Sequence, residues 1–400
     1  MKKLIIILVL GVLTTMLTSC QSENVDMNEE DTIYFSSVED VYGESVPILN
    51  TFVMLNIYNG NNLIEIEEET YKIMKKYHQL LDNYRYYHDD TKVITNIKTI
   101  NDSYGMGMSI VVDEIIIEAL KEAILIMELT EGYFNPFLGI LTDLWNPKFS
   151  PYPIENVDPS AEKIYEALAC VPSYDQINGM LIIDEDNSTI KFNKLEGCNL
   201  NVSINLGGFT KGYILNKLTE YLNERNESYL FNLGYSSLYL KENTEERIWK
   251  IGTTSPYESS YAYVLSLHTD IALSTSGDSN KFFLKRNEDD SLIIRSHLLN
   301  PFSGYSESSY RTVTVISDDN QVSEVLSTTL FVVQDIETQR RIIKNFENYY
   351  NTTIEVIWYY EDSYDDNEAK LIVTSGAMKY LELDSLEEQL VGVEEWEKMK

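Results

Sequence analysis

A chain of 400 residues with 44% apolar and 12% aromatic side chains can bury a large core, which excludes global disorder, and 18 glycines with 9 prolines exclude collagen-like and low-complexity classes. Its 31 Lys and Arg stand against 64 Asp and Glu, a formal charge of −33, so there is no basic face for a nucleic acid and DNA and RNA partners are excluded. The same acidity opposes binding to anionic lipid by charge alone.

The first segment reads as an address. Lys2 and Lys3 precede an apolar run from Leu4 to Leu13, and Leu17-Thr18-Ser19-Cys20 follows. A basic, apolar, small-residue order marks a secretion signal. A cysteine after two small residues resembles the lipobox of bacterial lipoproteins, whose signal is cut before the cysteine and whose cysteine is acylated. A plain signal peptide or a single membrane anchor is the alternative, although the run is short for a span of about 20 residues. Residues 1–19 are expected as a signal peptide, 20–44 as a flexible acidic tether, 45–385 as one globular domain and 386–400 as an acidic tail.

Within the domain, residues 46–58 alternate and are β-branched, which predicts a strand; 59–62 form a turn; 64–82 carry a helical apolar pattern. A stronger helix is predicted over 111–130, where Ile115, Ala119, Ala123, Ile126 and Met127 recur at three and four. A proline-rich loop (147–159), a short helix (160–168) and a hairpin (179–184 with 189–193) follow. Residues 202–206 are expected as a strand, 211–226 as a helix, and 229–232, 248–253, 262–267, 271–274 and 311–316 as strands. Helices over 324–333 and 338–349 and strands over 354–360 and 370–374 close the chain. No period recurs, so neither a solenoid nor a propeller is expected. The expectation is an α+β fold with mixed or antiparallel sheets and packed helices.

Beyond Cys20, Cys170 and Cys198 cannot build a disulfide framework, though they could pair once. The four histidines are His78, His88, His268 and His297, too few for a His-rich zinc or iron site. Any metal should be a hard cation such as Mg²⁺ held by oxygens.

Asn205-Leu206-Gly207-Gly208-Phe209-Thr210-Lys211-Gly212 reads as strand, paired glycines, helix. Paired glycines admit a ligand close to backbone, and helix-start N–H groups favour phosphate; a tight structural turn explains them equally. Ser274-Thr275-Ser276-Gly277-Asp278 reads as a loop after a strand, suited to phosphate or ribose, or simply a solvated turn. Glu324 and Thr328 share a helix face and could hold one hard cation, or cap and back-bond. His297, beside Asn300-Pro301-Phe302-Ser303-Gly304, is expected to be exposed and able to move a proton, or to make a structural hydrogen bond. Trp145 should pack core or line a pocket, while His78 and His88 carry little functional expectation.

These segments, taken in order, resemble the ApbE family of FAD:protein FMN transferases. Thr130-Glu131-Gly132-Tyr133-Phe134-Asn135-Pro136 with Leu144-Trp145, the Asn205 to Gly212 segment, Thr275-Ser276-Gly277-Asp278, His297 to Gly304, Ser323-Glu324-Val325-Leu326-Ser327-Thr328 and Ser375-Gly376-Ala377-Met378 are similar to that family's motifs. The resemblance implies a fold related to the T-fold, with FAD as substrate and Mg²⁺ as cofactor. It implies transfer of FMN to a Ser or Thr of a membrane-associated electron-transfer protein, with release of AMP. It implies metal ligands at Glu324, Thr328 and Thr210 (through its carbonyl). Asn205, Gly207, Gly208, Lys211, Thr275, Ser276, Gly277 and Asp278 fall in the FAD-binding region, and His297 and Lys211 at catalytic positions. The implied setting is extracytoplasmic, on the bacterial cell membrane through a lipid at Cys20.

The sequence departs from the family pattern in five places. Asn205 and Asn300 stand where the family has Asp, Glu324 is longer than its usual Asp, Ser303 replaces Thr, and Tyr235 in Asn232-Leu233-Gly234-Tyr235 replaces a glycine. An amide accepts a hydrogen bond but cannot act as a base or hold Mg²⁺ strongly. These departures keep open an alternative: a catalytically inactive, flavin-binding or scaffold lipoprotein of the same fold. A transporter's substrate-binding lipoprotein would show two similar domains, which this chain lacks.

Overall fold

The computed structural model describes residues 30–58, 60, 62–225, 228–242, 247–255, 261–268, 270–279, 281–307, 310–361, 369–386 and 390–399. The expected signal peptide and Cys20 lie outside the described residues. Among those residues, no helix is long and apolar enough to cross a membrane.

The centre is a nine-stranded sheet whose strands lie side by side in chain order. They are β1 (Glu30–Tyr34), β2 (Val53–Tyr58), β3 (Ser228–Leu233), β4 (Ser237–Lys241), β5 (Ile271–Gly277), β6 (Tyr310–Ser317), β7 (Glu355–Glu361), β8 (Ala369–Val373) and β9 (Leu390–Glu395). All neighbours pair antiparallel except β8 and β9, which run parallel. The α+β expectation holds.

Two segments expected to lie outside the globular domain contribute strands to the sheet. Residues 30–44, expected as part of a loose tether, contain β1, which pairs with β2 from Tyr34 opposite Met54 onward. The expected acidic tail contains β9, and Trp396 stacks on Trp358 at 5.5 Å. In each segment a few apolar or aromatic residues beside the acids are enough to favour sheet addition.

Five main helices pack around the sheet: α1 (Leu63–Leu81), α2 (Glu114–Leu129), α3 (Thr210–Asn223), α4 (Asn320–Val332) and α5 (Ile336–Tyr350). The Asp113 side chain caps α2 by accepting the Ile115 N–H, and its apolar stripe of Ile116, Leu120, Ala123 and Met127 is buried. Asp319 caps α4 through the Val322 N–H at 2.9 Å. Almost every residue of α4 is buried, because this helix lies between β5, β6 and α3.

Residues 202–206 do not form the expected strand. Val202, Ile204 and Leu206 are buried, but side chains and loops satisfy the backbone: Asn101 holds both the N–H and C=O of Ile204, and the Asn205 N–H reaches the Pro136 carbonyl at 2.8 Å. The expected 46–58 strand is broken by a turn at Ile48–Asn50, where Leu49 and Asn50 have positive φ. His78 holds that turn. Its Nδ1 accepts the Leu49 N–H at 3.1 Å, so Nε2 carries the proton and donates to the Tyr87 hydroxyl, which donates to Asp82. Burial pushes the His78 pKa down to about 4.

Cys170 and Cys198 are joined by a disulfide with Cα atoms 4.9 Å apart. The hairpin Phe282–Arg286 with Leu292–Ser296 stands outside the main sheet and rests on Trp145. That indole is fully buried against Phe149 and Phe283 and donates to the Gly304 carbonyl at 3.0 Å.

Candidate functional site

The site forms where the start of α3, the buried face of α4 and the ends of β4 and β5 meet. Asn205 sets the entry to α3. Its Oδ1 accepts the Gly207 N–H at 2.9 Å, and its Nδ2 donates to the Tyr84 hydroxyl at 3.1 Å. Both halves of the amide are therefore used in shaping the turn, and Tyr84 is itself set by Asp82, which accepts the backbone N–H groups of Tyr84 and Arg85.

Gly208 faces Thr328, whose methyl would lie 3.6 Å from an added Cβ. Gly212 is the tighter position: a Cβ there would lie 2.6 Å from the Asn320 carbonyl oxygen and 2.7 Å from the Glu324 Cβ. Its missing side chain lets α3 and α4 approach, and that approach brings Lys211 to Glu324.

Glu324 is 3% exposed, and its Oε1 lies 2.9 Å from the Lys211 Nζ. Its Oε2 accepts from the hydroxyls of Ser237 and Ser274, the latter at 2.9 Å. Lys211 also donates to Ser236 Oγ at 2.7 Å and Ser237 Oγ at 2.9 Å. A buried charge persists only when paired and hydrogen-bonded, and both conditions are met.

The segment 274–277, expected as a loop, is the end of β5, pairing with β6 from Ser274 opposite Val315 to Gly277 opposite Thr312. Strand alternation then explains its composition. Ala272, Ser274 and Ser276 point to one face, and α4 lies across it. Ser323 donates to the Ala272 carbonyl, Ser274 donates to Glu324, and Ser276 Oγ meets Ser327 Oγ at 2.9 Å and Thr328 Oγ1 at 3.1 Å. Two strand residues span about 6.8 Å and one helical turn about 5.4 Å, so small hydroxyl residues on the strand can match residues one turn apart on the helix. Thr275 points the other way, to Thr314 Oγ1 at 2.8 Å. Asp278 is buried and takes the Arg311 Nε at 2.8 Å. Thus Ser276 joins the site, while Thr275 and Asp278 make contacts on β6.

His297 follows the outer hairpin, its N–H bonded to the Lys281 carbonyl at 3.0 Å. It is half-buried rather than exposed, and its Nδ1 is sealed from solvent with no hydrogen-bond partner. Burial, followed by the charges of Lys281 and Lys211, pushes its pKa down to about 4, so the ring is neutral at pH 7. Asn300 shapes the following turn by accepting the Phe302 N–H at 2.9 Å, a task an amide performs as well as a carboxylate.

Tyr235 occupies the β3–β4 turn next to Ser236. Gly234 and Tyr235 have φ of 67° and 59°, and the Tyr235 N–H reaches Asn232 Oδ1 at 2.9 Å. For an aromatic residue this left-handed conformation costs about 1–2 kcal/mol. The ring lies parallel to Phe52 with centroids 5.1 Å apart.

The hard oxygens expected from the sequence to hold a cation are Glu324, Thr328 and the Thr210 carbonyl, of which Glu324 and Thr328 stand one turn apart on α4. No group of three His, Cys, Asp or Glu is found among the described residues. Mg²⁺ commonly uses one or two carboxylates together with waters and substrate phosphates, so this donor set fits it. Glu324 retains one of about four lone-pair directions beyond its three present partners. The supporting hydroxyls of Ser236 and Ser237, and Tyr84, were missed from sequence, whereas Ser274 belongs to the 274–278 segment singled out there. The alternation in 272–276 gives the direction of Ser274; Tyr84 carries no signal at all.

A family model described as "ApbE family" matches residues 49–352. The chain is similar to an FAD:protein FMN transferase of Treponema pallidum, 23% identical over 73% of this chain and 78% of that protein. It is also similar to an FAD:protein FMN transferase of Haemophilus influenzae, 25% identical over 54% of this chain, of which it spans only 59%. Its fold is similar to the crystal structure of the ApbE protein of Thermotoga maritima, with a TM-score of 0.61 at 24% identity, covering 82% of this chain and 94% of that one.

Proposed function

The chain belongs to the ApbE family, and from that premise we propose that it is an Mg²⁺-dependent FAD:protein FMN transferase. The supporting observation is the Lys211–Glu324 pair, enclosed by Ser236, Ser237 and Ser274, with Thr328 one turn along α4. Distant motifs meet at this one centre, which combines a cation for phosphate with oxygen donors for a metal.

In the proposed reaction, an acceptor Ser or Thr oxygen attacks the FMN-side phosphorus of FAD. A new O–P bond forms, the pyrophosphate P–O–P bond breaks, and AMP leaves with the bridging oxygen. Lys211 neutralises phosphate charge. The neutral His297 takes up the hydroxyl proton. The Gly207–Gly208 turn and the start of α3 lie against phosphate oxygens. Mg²⁺, held by Glu324, Thr328 and the Thr210 carbonyl, would supply electrostatic stabilisation of the charge on the phosphates.

Asn205 and Asn300, which favoured an inactive homologue when read as lost acids, act here as turn-shaping acceptors. That supports the active reading, because neither role requires a carboxylate. The inactive reading keeps one observation in its favour: three partners already engage the Glu324 oxygens.

The acceptor is proposed to be a membrane-associated electron-transfer protein, and the enzyme to be extracytoplasmic and lipid-anchored through Cys20. The Cys170–Cys198 disulfide supports an oxidising compartment. The deciding experiment incubates the chain with FAD, Mg²⁺ and candidate acceptors, weighs the acceptor and assays AMP. An FMN-sized mass gain that requires Mg²⁺ is the expected result. FAD binding with neither AMP release nor mass gain on a validated acceptor would establish the inactive reading.

A further inference from the structure

We propose that Tyr235 is a stacking platform for a planar ring of the dinucleotide substrate, the isoalloxazine or the adenine; this rests on the reading of the site as an FAD site. Tyr235 is 73% exposed, and its ring is parallel to Phe52 within 5°. Phe52 in turn meets Tyr34 at 5.7 Å with the ring planes tilted by 51°, so Phe52 sits between the two tyrosines. Phe52 supports one face of Tyr235 and fixes its orientation. The exposed ring is available to extend the stack, since aromatic systems favour parallel, offset stacking.

The platform is continuous with the phosphate-binding centre. Ser236, the next residue, places its Oγ 2.7 Å from the Lys211 Nζ. Tyr235 and the residue that meets the ammonium are thus neighbours on one turn, their Cα atoms about 3.8 Å apart. FAD carries its pyrophosphate and its two planar rings on one chain, joined through a sugar or a ribityl link. The backbone carries a second indication. Tyr235 holds a positive φ of 59° that glycine adopts freely, and its exposed side chain has the Phe52 ring as its partner. Strain retained by an exposed aromatic residue beside a binding centre points to function.

Tyr235→Gly is the informative variant, because glycine suits the turn and should leave the fold intact; Tyr235→Phe preserves the ring. Binding of FAD, FMN and AMP is measured by calorimetry, and stacking by quenching of flavin fluorescence. Tyr235→Phe should bind FAD like the wild type, and Tyr235→Gly should bind it roughly tenfold more weakly with less quenching. Loss confined to FAD and FMN assigns the isoalloxazine; loss confined to FAD and AMP assigns the adenine. Unchanged binding of FAD, FMN and AMP by Tyr235→Gly, in a wild type that binds FAD, overturns this inference alone. Reduced retention on phosphatidylcholine vesicles with unchanged FAD affinity also overturns it, by assigning the ring to a membrane. A wild type that binds no FAD would remove both this inference and the proposed function.

Discussion

Lys211 Nζ lies 2.9 Å from Glu324 Oε1, joining the first turn of α3 to the buried face of α4. The pair serves both packing and chemistry, so the two contributions need separate tests. Glu324→Gln keeps the shape but leaves the ammonium without its counter-charge. Breaking such a pair from one side costs up to about 3–5 kcal/mol when both groups are buried; because Lys211 retains 23% side-chain exposure, a loss of about 2–3 kcal/mol is expected. Lys211→Met combined with Glu324→Gln should recover part of it. Urea unfolding of the two single variants and the double variant measures the coupling. Additive losses would show that the two groups do not act as a pair.

The metal role of Glu324 has a different readout. Glu324→Gln should lose the Mg²⁺ dependence of FAD cleavage, and Glu324→Asp should retain it, because charge rather than length holds the ion. Thr328→Val removes only a neutral ligand and should have the smaller effect. Mg²⁺ titrations of AMP release distinguish them, and unchanged dependence in Glu324→Gln would remove that residue from the metal site.

Gly212→Ala should destabilise the fold by about 1–3 kcal/mol, since its Cβ would meet the Asn320 carbonyl at 2.6 Å. Gly208→Ala meets nothing closer than 3.6 Å and should leave stability nearly unchanged. Urea midpoints for the two variants provide the comparison. Equal midpoints would mean that α3 and α4 can part without cost.

The pKa of His297 is pushed down to about 4 from an ordinary 6.5. Between those values the unfolded chain binds more protons than the native one, so stability rises with pH, is complete above about 6.5, and is lost as pH falls towards 4. His78 has the same sign over the same window. His297→Gln should therefore reduce the difference in unfolding free energy between pH 7 and pH 5 without abolishing it. An unchanged difference would place His297 in water.

Glu122 behaves in the opposite sense. Burial first, then Asp319, push its carboxyl up to about 7, with Lys217 opposing and Glu118 adding to the rise. Here the native state binds the extra proton, so stability falls as pH rises from about 4.5 to 7. Glu122→Gln should stabilise the protein more at pH 8 than at pH 5 in urea titrations. Equal gains at the two pH values would contradict that assignment.

The main helices and most sheet strands were legible because their information is local. Period-3.6 burial located α1, α2 and α5 to within a few residues. The reading failed where long-range contacts decide. Residues 202–206 have a strand's composition, but Asn101 and Pro136 hold their backbone, and 274–277 look like a loop until β6 pairs with them. Tyr84 could not be found, because its link to Asn205 spans 121 residues and leaves no pattern in either segment.

By itself, the sequence determined the family through the order and spacing of its motifs, and with it the candidate centre at Lys211, His297, Glu324 and Thr328. Side-chain types within a few residues of one another carry that much, because chemistry and helix periodicity are local properties. Only the tertiary structure decided that Asn205 and Asn300 shape turns, that His297 is half-buried and neutral, and that Tyr235 stacks on Phe52. Each of those outcomes depends on the burial, charge and direction of groups brought together from distant parts of the chain, and those quantities exist only once the sheet and helices have packed.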